Sequence, residues 1–329
     1  MEVLAARAKD FLLEVSDLRV YYFTEKGIVK AVDGVSLSIR RGEILGLAGE
    51  SGSGKSTFGY ALMRLVPAPG KIVGGTIRFN GEDLTSMSEE EFERRVRWKG
   101  ISMVFQGAMS VLNPVMKVGD HIAEVFKVHL GLPKHEGIRR AKELLTMVGL
   151  DPEKVNSYPH ELSGGMRQRV VIAMALALNP PLVIADEPTS ALDVVVQAQI
   201  LNLLKSLQRE KGISMILVSH DLSLLAEIAD SLAIMYAGKV VECGPSDVLY
   251  REPQHPYTIG LLRSVPRLRG EKLELKGIPG EPPDLVNPPP GCRFHPRCPL
   301  AVDVCRREVP PMVEIDEGRR VACWLVAKR

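Results

Sequence analysis

The hydrophobic pattern of the chain switches repeatedly between strand-like and helix-like periods. Residues 44–48 and 182–185 are apolar without a break, as in strands buried on both faces. Residues 101–105 and 214–218 have much the same character. Residues 31–39 instead set Val32, Val35, Leu37 and Ile39 among polar neighbours, which predicts a half-buried antiparallel strand. Residues 11–15 and 18–23 predict two strands about a turn at Ser16 and Asp17. Residues 67–75 read as a loop, and 76–80 as a short strand closed by the turn Asn80-Gly81. A hairpin about Ala237-Gly238 is predicted over residues 231–241.

Between these strands lie helical patterns at residues 57–66, 88–99, 119–130, 138–148, 166–178, 194–210 and 222–229. Ser88 is a natural N-cap, with Glu89 to Glu91 in the first turn. Strands alternating with helices predict an α/β fold with a mainly parallel core sheet. The antiparallel β layer comes first, and residues of about 107–179 form an inserted helical subdomain. Past residue 251 the composition shifts: Pro253, Pro256, Pro266, Pro279, Pro282, Pro283 and Pro288-Pro289-Pro290 leave room for one short helix near 257–264. The expected organisation is one domain over 1–250 and an irregular extension over 251–329.

Gly49-Glu50-Ser51-Gly52-Ser53-Gly54-Lys55-Ser56-Thr57 joins the first apolar strand to a helix and reads G-x-x-x-x-G-K-S, the P-loop pattern. Its glycines let backbone N–H groups turn inward around phosphate oxygens, and the helix N-terminus adds donors and partial positive charge. Lys55 is expected at the β/γ-phosphates and the Ser56 hydroxyl on Mg²⁺. The second apolar strand ends in Asp186-Glu187, where Asp186 suits the Mg²⁺ shell and Glu187 the attacking water. Ser163-Gly164-Gly165 opens a further helix and is a phosphate-binding device of the same physical type, although an ordinary N-cap would read the same way.

Residues 49–57, Gln106, 162–169, 182–187, Ser190-Ala191-Leu192-Asp193 and His220 follow one another in the order and spacing of the ATP-binding subunits of ABC transporters, which the chain resembles over residues of about 11–250. The resemblance implies a P-loop ABC ATPase that binds ATP with Mg²⁺. It makes Gln106 the residue that links the metal (held by Ser56, Gln106 and Asp186) and the water to the membrane subunits. It also implies that Ser163, Gly164 and Gly165 meet the γ-phosphate held by a second subunit. Asp193 belongs to the loop joining the two sites, His220 contacts the γ-phosphate, and Tyr22 stacks on adenine. Met166 stands where many members have glutamine. Two such domains would close head to tail on ATP and reopen after hydrolysis.

The tail carries Cys292, Cys298, Cys305 and Cys323, spaced C-x5-C-x6-C-x17-C. With His255-Pro256-Tyr257 upstream it is similar to the C-terminal region of oligopeptide and dipeptide transporter ATPases. That likeness narrows the expected function to powering import of peptides or related solutes. The tight C-x2-C pairs of structural zinc are missing. The spacing and the family together suggest a [4Fe–4S] cluster, with Zn²⁺, or free thiols or a disulfide, as the alternatives.

Composition excludes little more. The 329 residues are 45% hydrophobic and 25% charged, with a net charge of +2, so there is no nucleic-acid footprint. No apolar run reaches the length of a membrane span, and no secretory signal is expected, given Glu2 and Asp10. The expected place is the cytoplasmic face of the membrane. The expected partners are a related but different ATPase subunit, two transmembrane permease subunits and, indirectly, an extracellular solute-binding protein. The competing class is a soluble ABC ATPase of nucleic-acid or translation type. The 56 residues between Gln106 and Ser163 leave no room for the long coiled coil of the chromosome-type members.

Overall fold

The computed structural model describes residues 10–107, 111–264 and 277–327; Glu2, Pro266 and residues 108–110 of the helical block lie outside them. From the N-terminus come β1 (Phe11–Thr24), β2 (Gly27–Arg40), β3 (Ile44–Ala48), α1 (Lys55–Leu62), β4 (Gly70–Phe79) and β5 (Glu82–Asp83). Next are α2 (Glu89–Arg95), β6 (Ile101–Val104), α3 (Val118–Leu130), α4 (Lys134–Met147), α5 (Gly164–Ala175), β7 (Leu182–Asp186), α6 (Val194–Lys211) and β8 (Ser214–Ser219). The last are α7 (Leu222–Ile228), β9 (Ser231–Tyr236), β10 (Lys239–Pro245), α8 (Ser246–Arg251), α9 (Pro256–Arg263), β11 (Val313–Asp316), β12 (Arg319–Val321) and α10 (Trp324–Ala327). They form two compact units, Met1–Thr85 with Val218–Arg329, and Ser86–Leu217.

In the first unit an antiparallel sheet runs β2-β1-β4-β5, and a second run of strands is ordered β11-β12-β10-β9-β3. All five residues of β3 are buried, and β3 pairs in parallel with β9, Leu47 opposite Ala233. Such a strand must be apolar on both faces, which is why 44–48 was legible. Asn80-Gly81 and Ala237-Gly238 both turn with positive φ, as tight hairpins require.

Three expectations are corrected here. The turn expected at Ser16 and Asp17 is a bulge within the single 14-residue strand β1. Its pairing with β2 shifts register between Val15 and Leu18, Asp17 takes φ 49°, and its N–H donates to Ser36 Oγ at 2.9 Å. The predicted loop 67–75 gives way to strand from Gly70 onward, because the far half of β1 needs a partner: Tyr22 lies opposite Gly70 and Tyr21 opposite Lys71. The extension is not wholly irregular. β11 and β12 form an antiparallel pair, and β12 adds to β10 with Glu242 opposite Val321.

That added edge brings a buried charge with it. Glu242 is fully buried, accepts hydrogen bonds from the N–H groups of Gln254 (2.9 Å) and His255 (3.0 Å), and lies 3.5 Å from the Arg319 guanidinium. Backbone donors and an opposing cation together satisfy the polar atoms of this buried carboxylate.

In the second unit β6 pairs in parallel with β7, Val104 opposite Ala185, and both strands are buried throughout their apolar residues. Ser88 caps α2 as expected, accepting from the Glu91 N–H at 3.1 Å. The helices α3 and α4 pack closely because Gly137 has no Cβ; one built there would lie 2.8 Å from the Ala123 methyl. The Arg140 guanidinium covers the buried Phe126 ring at 5.4 Å.

Candidate functional site

In the first unit the loop Gly49–Thr57 is shaped by backbone pressing on it from two strands. A Cβ on Gly49 (φ 149°) would come 2.1 Å from the Met235 carbonyl oxygen, and one on Gly54 (φ 102°) 2.1 Å from that of Ala31. Only glycine fits either position. The loop also hangs from the β9–β10 turn, since the Gly238 N–H donates to the Ser53 carbonyl at 2.9 Å.

The buried Lys55 lies along the loop that precedes it. Its ammonium donates to the carbonyls of Gly49 (2.7 Å) and Glu50 (2.9 Å) and to Ser53 Oγ (3.3 Å). The helix α1 starts from Gly54 with no side-chain cap, leaving its N-terminal face to the loop.

Three aromatics stand together on β1, and their contacts separate them. Tyr21 donates to Asp33 at 2.7 Å, and burial first, then that bond, pushes its phenol up to about 12. Phe23 is exposed. Tyr22 reaches the nucleotide loop, its hydroxyl 3.3 Å from Thr57 Oγ1, while its ring fills the space a Gly70 side chain would need. His220 is exposed just beyond β8, and the next residue, Asp221, caps α7 by accepting from the N–H groups of Ser223 (2.9 Å) and Leu224 (3.2 Å).

In the second unit the β6–β7 register brings two expected residues together. Gln106 and Glu187 each lie two residues beyond the paired Val104 and Ala185, and Gln106 Nε2 donates to Glu187 Oε2 at 2.8 Å. Glu187 takes φ 46°, unusual for a residue with a side chain and a feature often found at working sites. Asp186, at the end of β7, is fully buried. A buried carboxylate is a hard oxygen donor of the kind Mg²⁺ takes, so the chemistry of Asp186 suits that ion.

Ser163 caps α5, its Oγ accepting from the Met166 N–H at 3.3 Å. Gly164 is the first residue of that helix, and Gly165 faces α6 so closely that a Cβ would lie 2.6 Å from Val196 Cγ1. Asp193 caps α6 through the Val196 N–H at 3.0 Å. Both caps follow directly from the polar residue placed ahead of each helix.

None of the four tail cysteines is in a disulfide. Burial chiefly, with a further contribution from the neighbouring thiols of Cys305, Cys323 and Cys298, pushes Cys292 up to about 11. Burial likewise raises Cys298 and Cys323. The thiols therefore feel one another, and their softness suits iron or zinc. Yet among the described residues no group of three or more His, Cys, Asp or Glu side chains is arranged to hold a metal ion, so the expected cluster finds no formed site.

The sequence assigned no joint role to Glu50, Arg297 and Tyr257, which the fold brings together. The Glu50 carboxylate takes both arms of the Arg297 guanidinium, at 2.6 and 2.9 Å, and its N–H donates to Tyr257 Oη at 2.8 Å. Glu50 occupies a variable position of the loop pattern, and Arg297 follows it by 247 residues, so no local signal links them.

A glycine-rich loop between a buried strand and a helix, a buried aspartate at a strand end and a glutamine-held glutamate beside it define a P-loop ATPase of the ABC type. Comparison with known proteins agrees. The family description "ABC transporter" matches residues 32–190, and "Oligopeptide/dipeptide transporter, C-terminal region" matches 241–305. The oligopeptide transport ATP-binding protein OppD of Bacillus subtilis is 51% identical over 96% of this chain and 89% of its own length. The dipeptide transport ATP-binding protein DppD of Caldanaerobacter subterraneus is 46% identical over 95% of this chain and 97% of its own.

Among solved structures, the dimeric bacterial ABC transporter cassette MJ0796 superposes with a TM-score of 0.61 at 32% identity, covering 69% of this chain and 96% of that one. The cbiO1 protein of Clostridium perfringens gives 0.64 at 29% identity, over 74% and 92% of the respective chains. The chain belongs to the ABC transporter ATP-binding proteins, within the oligopeptide/dipeptide transporter family.

Proposed function

We propose that this ABC ATPase powers the import of peptides through a membrane transporter. What carries the reading is the concurrence, in one chain, of the ABC transporter region and the peptide-transporter C-terminal region, matched along nearly the whole length of peptide-transport relatives. Among the described residues no helix is long and apolar enough to cross a membrane. Transport therefore needs partners: two permease subunits, a solute-binding protein outside, and a second ATPase subunit, related but different. The working place is the cytoplasmic face of the membrane.

Residues 1–250 act as the ATPase domain, with a helical subdomain of about 107–179, and 251–329 as an extension. The loop residues Gly49, Ser51, Gly52, Ser53, Gly54, Lys55, Ser56 and Thr57 bind the phosphates, and Tyr22 stacks on adenine. Ser56, Gln106 and Asp186 hold Mg²⁺, which neutralises phosphate charge when bound. Glu187 polarises the attacking water, and its hydrogen bond from Gln106 supports that role by keeping the carboxylate oriented. His220 contacts the γ-phosphate. Ser163, Gly164, Gly165 and Asp193 serve the nucleotide of the second subunit, so that ATP favours the closed pair and hydrolysis releases it. The four cysteines, as soft donors close enough to affect one another, are the residues that would hold a [4Fe–4S] cluster of structural purpose, with Zn²⁺ the other candidate.

The replacement Glu187→Gln tests the catalytic assignment. ATP hydrolysis should fall by about 100-fold or more, the range expected on losing a general base, while ATP binding stays close to wild type. Turnover near the wild-type rate in a steady-state assay would remove Glu187 from the role.

A further inference from the structure

The Cys-bearing extension reaches into the nucleotide loop, and neither the motifs nor the family assignment accounts for the contact. Arg297 precedes Cys298 by one residue, and its side chain is only 6% exposed. Both terminal nitrogens meet the Glu50 carboxylate in a two-pronged pair, Nη1 to Oε2 at 2.6 Å and Nη2 to Oε1 at 2.9 Å. Its Nε donates to the Pro279 carbonyl at 2.8 Å, which fixes the plane of the guanidinium. The same head lies over the Tyr236 ring, 5.8 Å from its centroid.

Around this pair stands an aromatic box. Tyr236, Tyr257 and Phe294 contact one another with ring centroids 4.5 to 5.3 Å apart. Phe294 and Arg297 both come from the stretch between Cys292 and Cys298, while Tyr236 ends β9 and Tyr257 lies in the first turn of α9. The box keeps water from one side of the ion pair, where a two-pronged guanidinium–carboxylate contact is strongest.

Glu50 is thereby held on every polar side. Its carboxylate is fixed by Arg297 and its N–H by Tyr257 Oη, and its carbonyl accepts from both the Ser53 N–H at 3.2 Å and the Lys55 ammonium at 2.9 Å. A shift of Glu50 would carry the Lys55 acceptor with it and change the loop that must close on phosphates.

We propose that Arg297 is a positioning residue for ATP: by pinning Glu50 it sets the conformation of the nucleotide loop, so that the fold of the four-cysteine segment controls ATP affinity. The inference rests on the ATPase reading above. It assigns the extension a role in the nucleotide site itself, through residues that never touch the reacting atoms. Loss of the pin should weaken ATP binding more than it slows the turnover of bound ATP, because the chemistry of Glu187 is untouched.

The test uses the full-length protein, with dissociation constants for ATP, and KM and kcat for hydrolysis, measured for wild type, Arg297→Ala, Arg297→Lys and Glu50→Gln. Arg297→Ala should raise the ATP dissociation constant and KM about tenfold, the loss expected for a charge-assisted pair, with kcat changed much less. Arg297→Lys should recover part of the loss, keeping the charge but not the fork. Glu50→Gln leaves the extension intact and should weaken ATP in the same direction, so it decides the matter if Arg297→Ala does not fold. ATP affinity at the wild-type value in a folded Arg297→Ala, or in Glu50→Gln when that variant must decide, overturns the inference. Equal loss of kcat with no change in KM would also overturn it. A wild-type protein that binds no ATP would instead overturn the ATPase reading, and this inference with it.

Discussion

His255 shows how one side chain can do structural work only in its neutral form. It is buried and caps α9 through Nδ1, which accepts from the Tyr257 N–H at 3.1 Å, while its backbone N–H donates to Glu242. Burial pushes its pKa down to about 3 from the usual 6.5. Between those values the unfolded chain binds a proton that the folded chain does not. The stability this contributes is therefore full above pH 6.5 and is lost as pH falls toward 3. The slope should be about 1.4 kcal/mol per pH unit at most. His255→Asn keeps a capping acceptor without the titration. Thermal melts at pH 7 and 5 should show a smaller acid shift for the variant than for wild type, and equal shifts would rule the group out as the source. The residue was visible in sequence, but its burial was not, because nothing local shows that Phe294 and Glu242 surround it.

At the scale of elements, the short helix α7 depends on its cap. It has seven residues, too few to be stable alone, and Asp221 supplies acceptors to two of its first N–H groups. Asp221→Ala should cost about 1 kcal/mol, and Asp221→Ser should restore most of it. Because His220 is the preceding residue, the Ala variant should also lower ATPase activity while the protein remains folded, which circular dichroism and a turnover assay would show together. Activity unchanged despite a lower melting temperature would separate the cap from the function of His220. Strands buried on both faces, such as β3, β6 and β7, were legible as apolar runs, and the caps Ser88 and Ser163 as polar residues ahead of helices. The bulge in β1 and the upper half of β4 were not, since partner strands decide whether a turn-like or glycine-rich stretch is extended.

For the whole molecule, the extension carries chemistry of its own in Cys292, Cys298, Cys305 and Cys323. Its four cysteines form no disulfide and Cys292 feels the other three, while the described residues hold no arranged metal group. If they carry a [4Fe–4S] cluster, anaerobically purified protein should contain about four irons per chain and be brown, as that cluster type requires. Zinc in place of iron would leave a structural metal site of the other kind, and neither metal would leave four thiols. The burial that raises Cys292, Cys298 and Cys323 opposes thiolate formation, so metal loading should improve with rising pH.

The sequence by itself determined the nucleotide loop, the alternation of buried strands and helices, the caps and the order of the chemical residues. Each of these is a local matter: a backbone angle only glycine tolerates, a period of apolar positions, a polar side chain beside a helix start. Tertiary structure alone decided that β12 adds to β10, that Gln106 meets Glu187, and that Arg297 grips Glu50. Those contacts join residues far apart in the chain, and their geometry depends on strand register and burial, which no short stretch encodes.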